Sequence, residues 1–391
     1  MSGYSLRVAA CSVLLLLFSC QSRSPHIAEH DAAPSPAAEE PPPLFRLRII
    51  AAGDNLLHDT IIRGALEKDG YHFAPIYADV RPIIEAADIA FVNQETVMGG
   101  EQYGYSGYPR FNSPGELASA LGETGFDIVN HANNHALDMG AAGLLATMDT
   151  WDAVSGVQYI GVRRHAEQPP LIVVKNNIRL GFLAYTQHTN GIALPPGRPW
   201  MVSLAKREVM AREIEALRPF CDFVIVSMHW GPEYEHEPSA DQLALAEFLA
   251  EQRVDLVIGH HPHVLQRFEL LPRPDGGKML CFYSLGAFVS HQWQPETLLG
   301  GLMYVELLKE GETVSVGNAG IIPVLTHFEQ GFSKTRIIPL YSYTAALAER
   351  HRLRAGNSDF TVDFFYAIVT RLYSRVIMYN PFSPSPAGAE Q

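Results

Sequence analysis

The segment "IGHHPHVLQRFE", residues 258–269, places three histidines and a proline in four consecutive positions. It continues the apolar run "VDLVI", residues 254–258, which has the length and composition of a buried strand. Alternate residues of an extended chain point the same way, so His261 and His263 can serve one site while His260 points elsewhere. The segment therefore predicts a strand that delivers two imidazoles to one place.

Similar strand-length apolar runs occur along the chain from residue 44. They are "LFRLRIIAAGD" (44–54), "ADIAFVNQE" (87–95), "GFDIVNHANNH" (125–135), "IRLGFLAYT" (178–186), "CDFVIVSMHWG" (221–231) and "MLCFYSLGAF" (279–288). Helical patterns separate several of them, for example at residues 113–125, 140–154 and 205–219. This alternation predicts an α/β fold of stacked layers, and the Asn176-Asn177 pair predicts a hairpin turn.

Polar side chains collect where these predicted strands end. They are Asp54, Asn93, Glu95, Asn134, His135, His229, His261 and His263. Ligands of open α/β sheets bind at that edge, and packing alone does not explain why several strands deliver such residues to it. Carboxylate, amide and imidazole ligands without thiolate suit Mn, Fe or Zn, and their number exceeds the need of one four-coordinate ion. We therefore predict two divalent metal ions and hydrolysis by metal-activated hydroxide.

The net charge excludes some classes of partner. The chain has 42 acidic and 29 basic residues, a formal charge of -13, which opposes binding to nucleic acid.

No P-loop or GxGxxG sequence follows a predicted strand, and "YSLG" (283–286) lacks the GxSxG pattern. Nucleotide cofactors and serine hydrolysis are therefore not expected.

The N-terminus predicts export. An apolar run over residues 8–18 is too short to span a bilayer and is typical of a signal peptide. It ends in "LFSC" (17–20), which resembles the lipobox of bacterial lipoproteins and predicts acylation of Cys20. The alternative is an ordinary cleaved signal with a chance cysteine. We expect a lipoprotein of the bacterial cell envelope, held to the membrane through its lipid anchor.

Composition then predicts the domain boundaries. Residues 1–20 form the lipoprotein signal peptide, and residues 21–43, rich in Pro, Ala and Glu, form a disordered linker. Residues 44–340 form the metal-binding domain. Residues 341–391 form a C-terminal extension, in which apolar residues at helical spacing predict an amphipathic helix that docks on the core.

Six motifs in this order resemble the CapA-like capsule-synthesis proteins associated with poly-γ-glutamate, which are similar to calcineurin-type metallophosphoesterases. They are "AAGDNLLHD" (51–59), "ADIAFVNQETV" (87–97), "IVNHANNHALDMGAAGL" (128–144), "VSMHWGPEY" (226–234), "DLVIGHHPHV" (255–264) and "FYSLGAF" (282–288). The resemblance covers about residues 46 to 325. It implies a calcineurin-like metallophosphatase fold, a four-layer α/β/β/α sandwich.

The resemblance also implies roles for single residues. As metal ligands it implies Asp54, Glu95, Asn134, His229, His261 and His263. His135 would act as general acid or transition-state donor near the leaving group. Asp138 would orient His135, or would instead be a carboxylate at the start of a helix.

Two positions depart from the family pattern. Calcineurin-type enzymes begin with Asp-x-His, whereas here the nearest candidate is His58, whose part as a metal ligand depends on whether "NLLHD" (55–59) begins a helix or loops back. Ala287 stands where the CapA-like pattern has asparagine, so the site loses an amide that can help to order it.

Three further residues are candidates for binding substrate. Glu233 and Tyr234 belong to the family pattern and either line the cleft or anchor their own loop. Arg110 can clamp an anionic substrate because a guanidinium group matches carboxylate or phosphate in a bidentate manner, although surface arginines are common.

Three functions follow as hypotheses. The protein cleaves a phosphoester at the cell surface or in the periplasm, or it handles poly-γ-glutamate by cutting or transferring γ-glutamyl bonds. In the third hypothesis it is a non-catalytic module or accessory factor whose metals hold an anionic surface polymer. The expected partner is in each case an anionic substrate or polymer such as poly-γ-glutamate.

Overall fold

The computed structural model describes residues 43–373. The predicted signal peptide with Cys20 lies outside the described residues, as do residues 21–42 of the predicted linker and the chain beyond residue 373. The predicted domain boundaries stay predictions. Within residues 43–373, no helix is both long and apolar enough to cross a membrane.

Strands and helices alternate through most of the chain. The strands are β1 (Leu44–Asn55), β2 (Leu66–Glu67), β3 (Gly70–Tyr71), β4 (Ile89–Gln94), β5 (Ile128–Asn130), β6 (Gln158–Ile160), β7 (Leu171–Lys175), β8 (Ile178–Thr186), β9 (Phe223–His229), β10 (Leu256–His260), β11 (Phe268–Pro272), β12 (Lys278–Phe282), β13 (Ala287–Val289), β14 (Leu299–Glu310), β15 (Thr313–His327) and β16 (Arg336–Pro339). The helices are α1 (Asp59–Gly64), α2 (Ala74–Tyr77), α3 (Arg81–Ile84), α4 (Glu116–Thr124), α5 (Gly140–Asp152), α6 (Arg207–Leu217), α7 (Ala240–Glu251), α8 (Ala345–Arg350) and α9 (Val362–Leu372).

Two large sheets form the centre of the fold. The first has eight strands in the order β16-β15-β14-β1-β4-β5-β6, with β13 also paired to β1. The second has six strands in the order β11-β12-β10-β9-β8-β7. Strands β1, β4, β5 and β6 run parallel, as do β8, β9, β10 and β12. The parallel strands of each sheet therefore end at a common edge.

The alternation of side chains along the strands produces four layers. In β1, Leu47 and Ile49 face a core shared with Phe182 and Ile225 of the second sheet, whereas Ile50 faces the opposite way. Helices α4 and α5 cover that outer face of the first sheet, and α6 and α7 cover the outer face of the second. This arrangement confirms the α/β/β/α sandwich implied by the family resemblance.

Two local predictions correspond to observed elements. Asn176 and Asn177 have φ values of 48° and 59° and join the antiparallel strands β7 and β8, as a tight hairpin turn requires. In the C-terminal part, Thr361 caps α9 by accepting a hydrogen bond from the Phe364 backbone nitrogen. Phe365 and Ile368 of α9 are buried in the core between the two sheets, so this helix docks on the sandwich.

Candidate metal centre

The candidate site lies where parallel strands of both sheets end. Asp54 in β1 pairs with Asn93 in β4, and His229 at the end of β9 pairs with His260 at the end of β10. The sequence predicted that the site residues lie along one edge of a single sheet, and this prediction is wrong. The first sheet supplies oxygen atoms and the second supplies imidazoles, and the sandwich brings the two edges together.

Asp54 is fully buried at the centre of the cluster. Its Oδ2 lies 2.9 Å from Nδ1 of His263, and its Oδ1 accepts a hydrogen bond from Asn93 Nδ2 at 2.7 Å. The strand approaches its neighbour closely here, because a Cβ atom on Gly53 would lie 2.0 Å from the carbonyl oxygen of Gly286. Only glycine at position 53 permits this approach, which fixes where the Asp54 carboxylate stands.

Glu95 follows β4 and is also fully buried. Its Oε1 lies 3.5 Å from His229 Nε2 and 3.8 Å from His263 Nε2, and neither carboxylate oxygen has a hydrogen-bond partner among residues 43–373. A buried carboxylate without a donor is strongly unfavourable, and a bound cation would remove that cost. The unpartnered oxygens of Glu95 therefore fit a metal site.

Two groups of three ligand atoms share Glu95. One consists of Asp54, Glu95 and His229, and the other of Glu95, His261 and His263. In each group the candidate ligand atoms lie within 4.8 Å of one another. Oxygen and imidazole donors of this kind suit Mn, Fe or Zn. A carboxylate common to both groups is the arrangement expected for a pair of ions.

The histidine segment is not the extended strand that its sequence predicted. Strand β10 ends at His260, and His261 and His263 have φ values of 99° and 57°, in the left-handed region that side chains rarely adopt. A strained turn, and not strand alternation, brings these two rings to one site. Strain of this kind persists only where surrounding contacts hold it.

The prediction that His260 points elsewhere is also wrong. Its Nδ1 lies 3.5 Å from Asp54 Oδ1, and its ring stacks on Phe91 with 5.9 Å between the centroids. Both ring nitrogens of His260 lack a hydrogen-bond partner in the described part of the chain. His260 thus packs beneath the cluster and contacts the same carboxylate as His263.

Asn134 and His229 meet at the side of the cluster. Asn134 Oδ1 lies 2.9 Å from His229 Nε2, and the His229 and His261 ring centroids are 4.6 Å apart. The structure therefore brings together six of the predicted ligands, which are Asp54, Glu95, Asn134, His229, His261 and His263.

His58 lies outside both groups of ligands. It precedes helix α1 at the N-cap position, and its Nδ1 accepts a hydrogen bond from the His291 backbone nitrogen at 3.3 Å. Burial lowers the pKa of His58 to about 4, so the ring is neutral at pH 7. The segment "NLLHD" begins a helix, and this places His58 in the wall of a cavity next to the cluster, which is described below.

His135 and Asp138 form the predicted pair. His135 Nδ1 lies 2.8 Å from Asp138 Oδ2, which also accepts a hydrogen bond from the Phe111 backbone nitrogen at 2.7 Å. Helix α5 begins two residues later, and its N-cap residue Met139 makes no side-chain capping bond. Of the two interpretations left open for Asp138, the geometry favours the partner of His135.

Burial and charge set the protonation of the cluster. Burial lowers the pKa of His229 well below its ordinary value, and it lowers the pKa of His261 to about 3, so both imidazoles have free lone pairs at pH 7. Burial also lowers the pKa of His263, but the charges of Glu95 and Asp54 outweigh it and raise the value to about 9. Burial raises the pKa of Glu95 well above its usual range. Metal ligands must be deprotonated, so a cation would compete with the proton on His263.

A cavity of about 390 Å³ adjoins the cluster, and Glu233 and Tyr234 contribute to its wall. Both are exposed, and the Tyr234 ring lies 6.2 Å from that of His263. Arg110 lies in a neighbouring cleft with Asp138, where its guanidinium group donates a hydrogen bond to the Asp138 carbonyl oxygen. The predicted substrate residues thus flank the cluster on two sides.

Ala287 stands beside the first ligand. It is fully buried and pairs in register with Asp54 in the parallel ladder between β1 and β13. The position is therefore close enough for an amide to influence Asp54, and alanine supplies none.

Sequence reasoning missed two neighbours of the cluster, His260 and His188, and placed Asn93 at the strand ends without giving it a role. Asn93 donates to Asp54 and lies 3.4 Å from His229, His260 contacts Asp54, and the exposed ring of His188 lies 5.3 Å from that of His261. His188 follows β8, which runs parallel to β9 and ends beside it. The position of His188 just after a predicted strand was the signal that could have identified it as a site residue.

Comparison with known sequences shows the family. The model of the family described as bacterial capsule synthesis protein PGA_cap matches residues 48–292, more than half of the chain. The capsule biosynthesis protein CapA of Bacillus anthracis is 31% identical over 205 residues, which cover 51% of this chain and 48% of that protein. The PGA biosynthesis protein CapA of Bacillus subtilis (strain 168) is 28% identical over 259 residues, covering 64% and 65% of the two chains. The chain thus spans from about half to just under two thirds of the length of these curated relatives.

Similar solved structures include a calcineurin-like phosphoesterase, YfkN, from Bacillus subtilis. It has a TM-score of 0.42 and 14% identity, and the match covers 83% of this chain and 99% of that one. A 5'-nucleotidase precursor from Thermus thermophilus has a TM-score of 0.46 and 15% identity, with coverage of 72% and 54%. The sequence match to the family model decides membership. The chain belongs to the bacterial capsule synthesis protein PGA_cap family.

Proposed function

We propose that this protein is a metal-dependent hydrolase that cleaves a phosphoester with two divalent ions, Mn, Fe or Zn. The observation that carries the proposal is Glu95, a buried carboxylate without a hydrogen-bond partner among the described residues that belongs to both groups of ligand atoms. When bound, the ions would supply Lewis acidity and activate a water molecule for attack. Asp54, Glu95, His229, His261 and His263 would hold them.

The remaining residues act on the substrate. Asp138 fixes the His135 ring through Nδ1, so Nε2 is the atom that can donate a proton to the leaving oxygen. Burial of the cluster excludes water from the ligand atoms and strengthens their attraction for charge. The expected reaction is therefore attack by water on phosphorus, with His135 protonating the group that leaves.

The setting follows from the family and from the N-terminal sequence. The relatives from the two Bacillus species are named for capsule and PGA biosynthesis, which supports a role in making or anchoring a surface polymer. We propose that Cys20 carries the lipid anchor and that the protein works at the bacterial cell envelope. An anionic polymer of the cell surface is the proposed partner.

Turnover of simple substrates tests the proposal. The purified protein is loaded with Mn²⁺ and incubated with p-nitrophenyl phosphate, bis(p-nitrophenyl) phosphate or poly-γ-glutamate, and metal content is measured by mass spectrometry. We expect release of nitrophenol that His229→Ala abolishes. The exposed His165 provides a matched control, because His165→Ala removes an imidazole that belongs to neither ligand group and should leave release unchanged.

Two other results would replace the proposal. Shortening of poly-γ-glutamate without release of nitrophenol would favour cleavage of γ-glutamyl bonds at the same centre. Binding of metal without turnover of either substrate would favour a binding module, in which the ions hold an anionic polymer. Fewer than one ion per chain in protein purified without chelator would contradict the metal centre itself.

A further inference from the structure

Three exposed aromatic side chains surround the cavity beside the metal centre. Tyr108 is 80% exposed, Trp293 is 64% exposed and Tyr234 is 44% exposed, and all three contribute to the cavity wall. Single exposed aromatic residues are common on protein surfaces, but a group of them around one cavity usually contacts a ligand. Their position indicates that the ligand has an apolar face.

Trp293 is held in place and still exposed. The guanidinium carbon of Arg352 lies 5.6 Å from the centre of the Trp293 ring, and the ring of Phe332 meets it edge-on at 5.9 Å. Cation-π and edge-to-face contacts of this kind fix the orientation of an indole. Trp293 is therefore oriented by two packing contacts while its ring stays exposed.

The polar groups of the cavity accept hydrogen bonds. Gln292 Oε1 is buried without a partner among residues 43–373, while its Nε2 donates to the Tyr234 hydroxyl oxygen at 3.2 Å. The carboxylate of Glu233 lies in the same wall. Gln292 and Glu233 are thus acceptor-bearing residues of this wall, which suits a ligand with hydroxyl groups.

Cationic side chains of lysine and arginine are missing from this wall. Among the described residues that line the cavity, none is Lys or Arg. Arg110 lies in the neighbouring cleft, and Arg352 packs against Trp293 without lining the cavity. A polymer with a carboxylate on every residue would find Glu233 here and neither Lys nor Arg, while the His263 imidazole of the same wall is already paired with Asp54.

We propose that this cavity binds a saccharide ring of the substrate, next to the metal centre. A sugar has a flat face of C–H groups that packs on an aromatic ring and an edge of hydroxyl groups that donate to Gln292 and Glu233. The volume of about 390 Å³ lies near the lower end of the roughly 300–1,000 Å³ of small-molecule pockets, which suits a short glycan segment. The assignment rests on the proposed function, since His135 and His263 belong to both cavity and centre.

Direct binding tests the assignment without catalysis. The full chain without added metal is titrated with maltotriose, chitotriose, galactose and tri-γ-glutamate, and binding is followed by saturation-transfer NMR. We expect at least one neutral saccharide to bind, and Trp293→Ala or Tyr108→Ala to weaken it by about threefold to tenfold, the typical contribution of one aromatic contact. The matched control is Phe220→Ala, because Phe220 is 61% exposed and precedes β9 at the opposite end of the strand from His229.

The outcomes separate this inference from the proposed function. If none of the saccharides binds, or if tri-γ-glutamate binds better and Trp293→Ala has no effect, the saccharide site is wrong. Tyr108→Ala keeps the test valid if Trp293→Ala fails to fold, because Tyr108 is the more exposed of the two.

A second readout compares two phosphomonoesters that differ in their ring. With Mn²⁺, glucose 1-phosphate should have a higher kcat/KM than glycerol 3-phosphate, and Trp293→Ala should raise KM for glucose 1-phosphate more than it lowers kcat. Equal kcat/KM values would contradict the saccharide site but would not contradict the proposed hydrolase activity. Hydrolysis of neither compound would count against the proposed hydrolase activity. The binding experiment would still test whether the cavity binds a saccharide.

Discussion

Two buried clusters of histidines in this protein have different surroundings. In the candidate metal centre, His229, His261 and His263 surround the carboxylates of Asp54 and Glu95. In the C-terminal cluster, which we define as His291, His327 and His351, the rings pack against aromatic side chains and one another. The Phe328 ring lies 4.1 Å from that of His291 and 4.5 Å from that of His351.

The carboxylates make the difference between the clusters. The C-terminal cluster also has a carboxylate, Glu329, 3.8 Å from His327 Nε2, but Glu329 is paired with Lys334 and Arg350, whereas the Glu95 oxygens have no hydrogen-bond partner among residues 43–373. Burial lowers the pKa of His327 to about 4 and of His351 to about 3, so these rings stay neutral and pack as apolar groups. Buried histidines alone thus indicate a core. Buried histidines around a carboxylate without hydrogen-bond partners indicate a cation site.

The largest effect is expected from Glu95→Gln. The substitution removes the carboxylate common to both ligand groups, so we expect hydrolysis to fall by more than about 100-fold, since even residues that only support a ligand contribute about 10–100-fold. Metal content should fall as well. The free energy of unfolding of the metal-free protein should stay equal or rise, because a buried unpaired acid is removed. Full activity with two bound ions would contradict the role of Glu95.

The opposite pattern is expected in the C-terminal cluster. His351→Ala removes a buried ring that lies 4.2 Å from Phe360, and it also removes the acceptor for the Leu353 backbone nitrogen. We expect a loss of about 2–4 kcal/mol in the free energy of unfolding, as for other large-to-small changes in a core. Chemical denaturation measures the loss, and mass spectrometry should find unchanged metal content. A loss of bound metal would show that the two clusters are coupled.

An effect of intermediate size is expected at Asp138, and it tests the proposed proton donor His135 separately from the metal ligands. Asp138→Asn keeps the shape of the partner of His135 but removes its charge, so we expect kcat to fall by about 10–100-fold, less than the roughly 100–10,000-fold of a general acid itself because His135 remains. Metal content should match that of the unmodified protein. An unchanged kcat would assign Asp138 to holding the Phe111 backbone only.

The smallest effect concerns pH. The pKa of His351 is lowered from 6.5 to about 3. Between pH 6.5 and about pH 3, the His351 ring therefore binds a proton in the unfolded chain but not in the folded chain. The stabilising contribution of the neutral ring is therefore complete above about pH 6.5 and is lost as the pH falls toward 3. The dependence of unfolding free energy on pH should flatten in His351→Ala by up to about 1.4 kcal/mol per pH unit. An unchanged dependence would show that His351 takes up no additional proton on unfolding.

Much of the fold and part of the site follow from local patterns. The buried strand predicted before "HHPH" is observed as β10, which ends at His260, and the Asn176-Asn177 hairpin joins β7 and β8. His135 and Asp138, three residues apart, form the expected pair. These features depend on neighbours in sequence, and the residues themselves specify them.

The conformation of the histidine segment could not be predicted in this way. An extended chain would have turned His261 and His263 to one side and His260 to the other, but the φ values of 99° and 57° replace that geometry with a turn. Local preference disfavours such values, and the contacts of the surrounding structure outweigh it. The approach of His260 to Asp54 follows from this packing.

The sequence by itself determined the chemistry of the protein: which residue types stand at the ends of its strands, and hence that oxygen and imidazole donors are available for a cation. Only the tertiary structure decided which of them meet. Asp54 and Glu95 come from one sheet and His229, His261 and His263 follow strands of the other, and no spacing in sequence encodes the distance between two sheets. That distance is set by packing of the apolar faces between them, which also leaves the oxygens of Glu95 buried and ready for a metal ion.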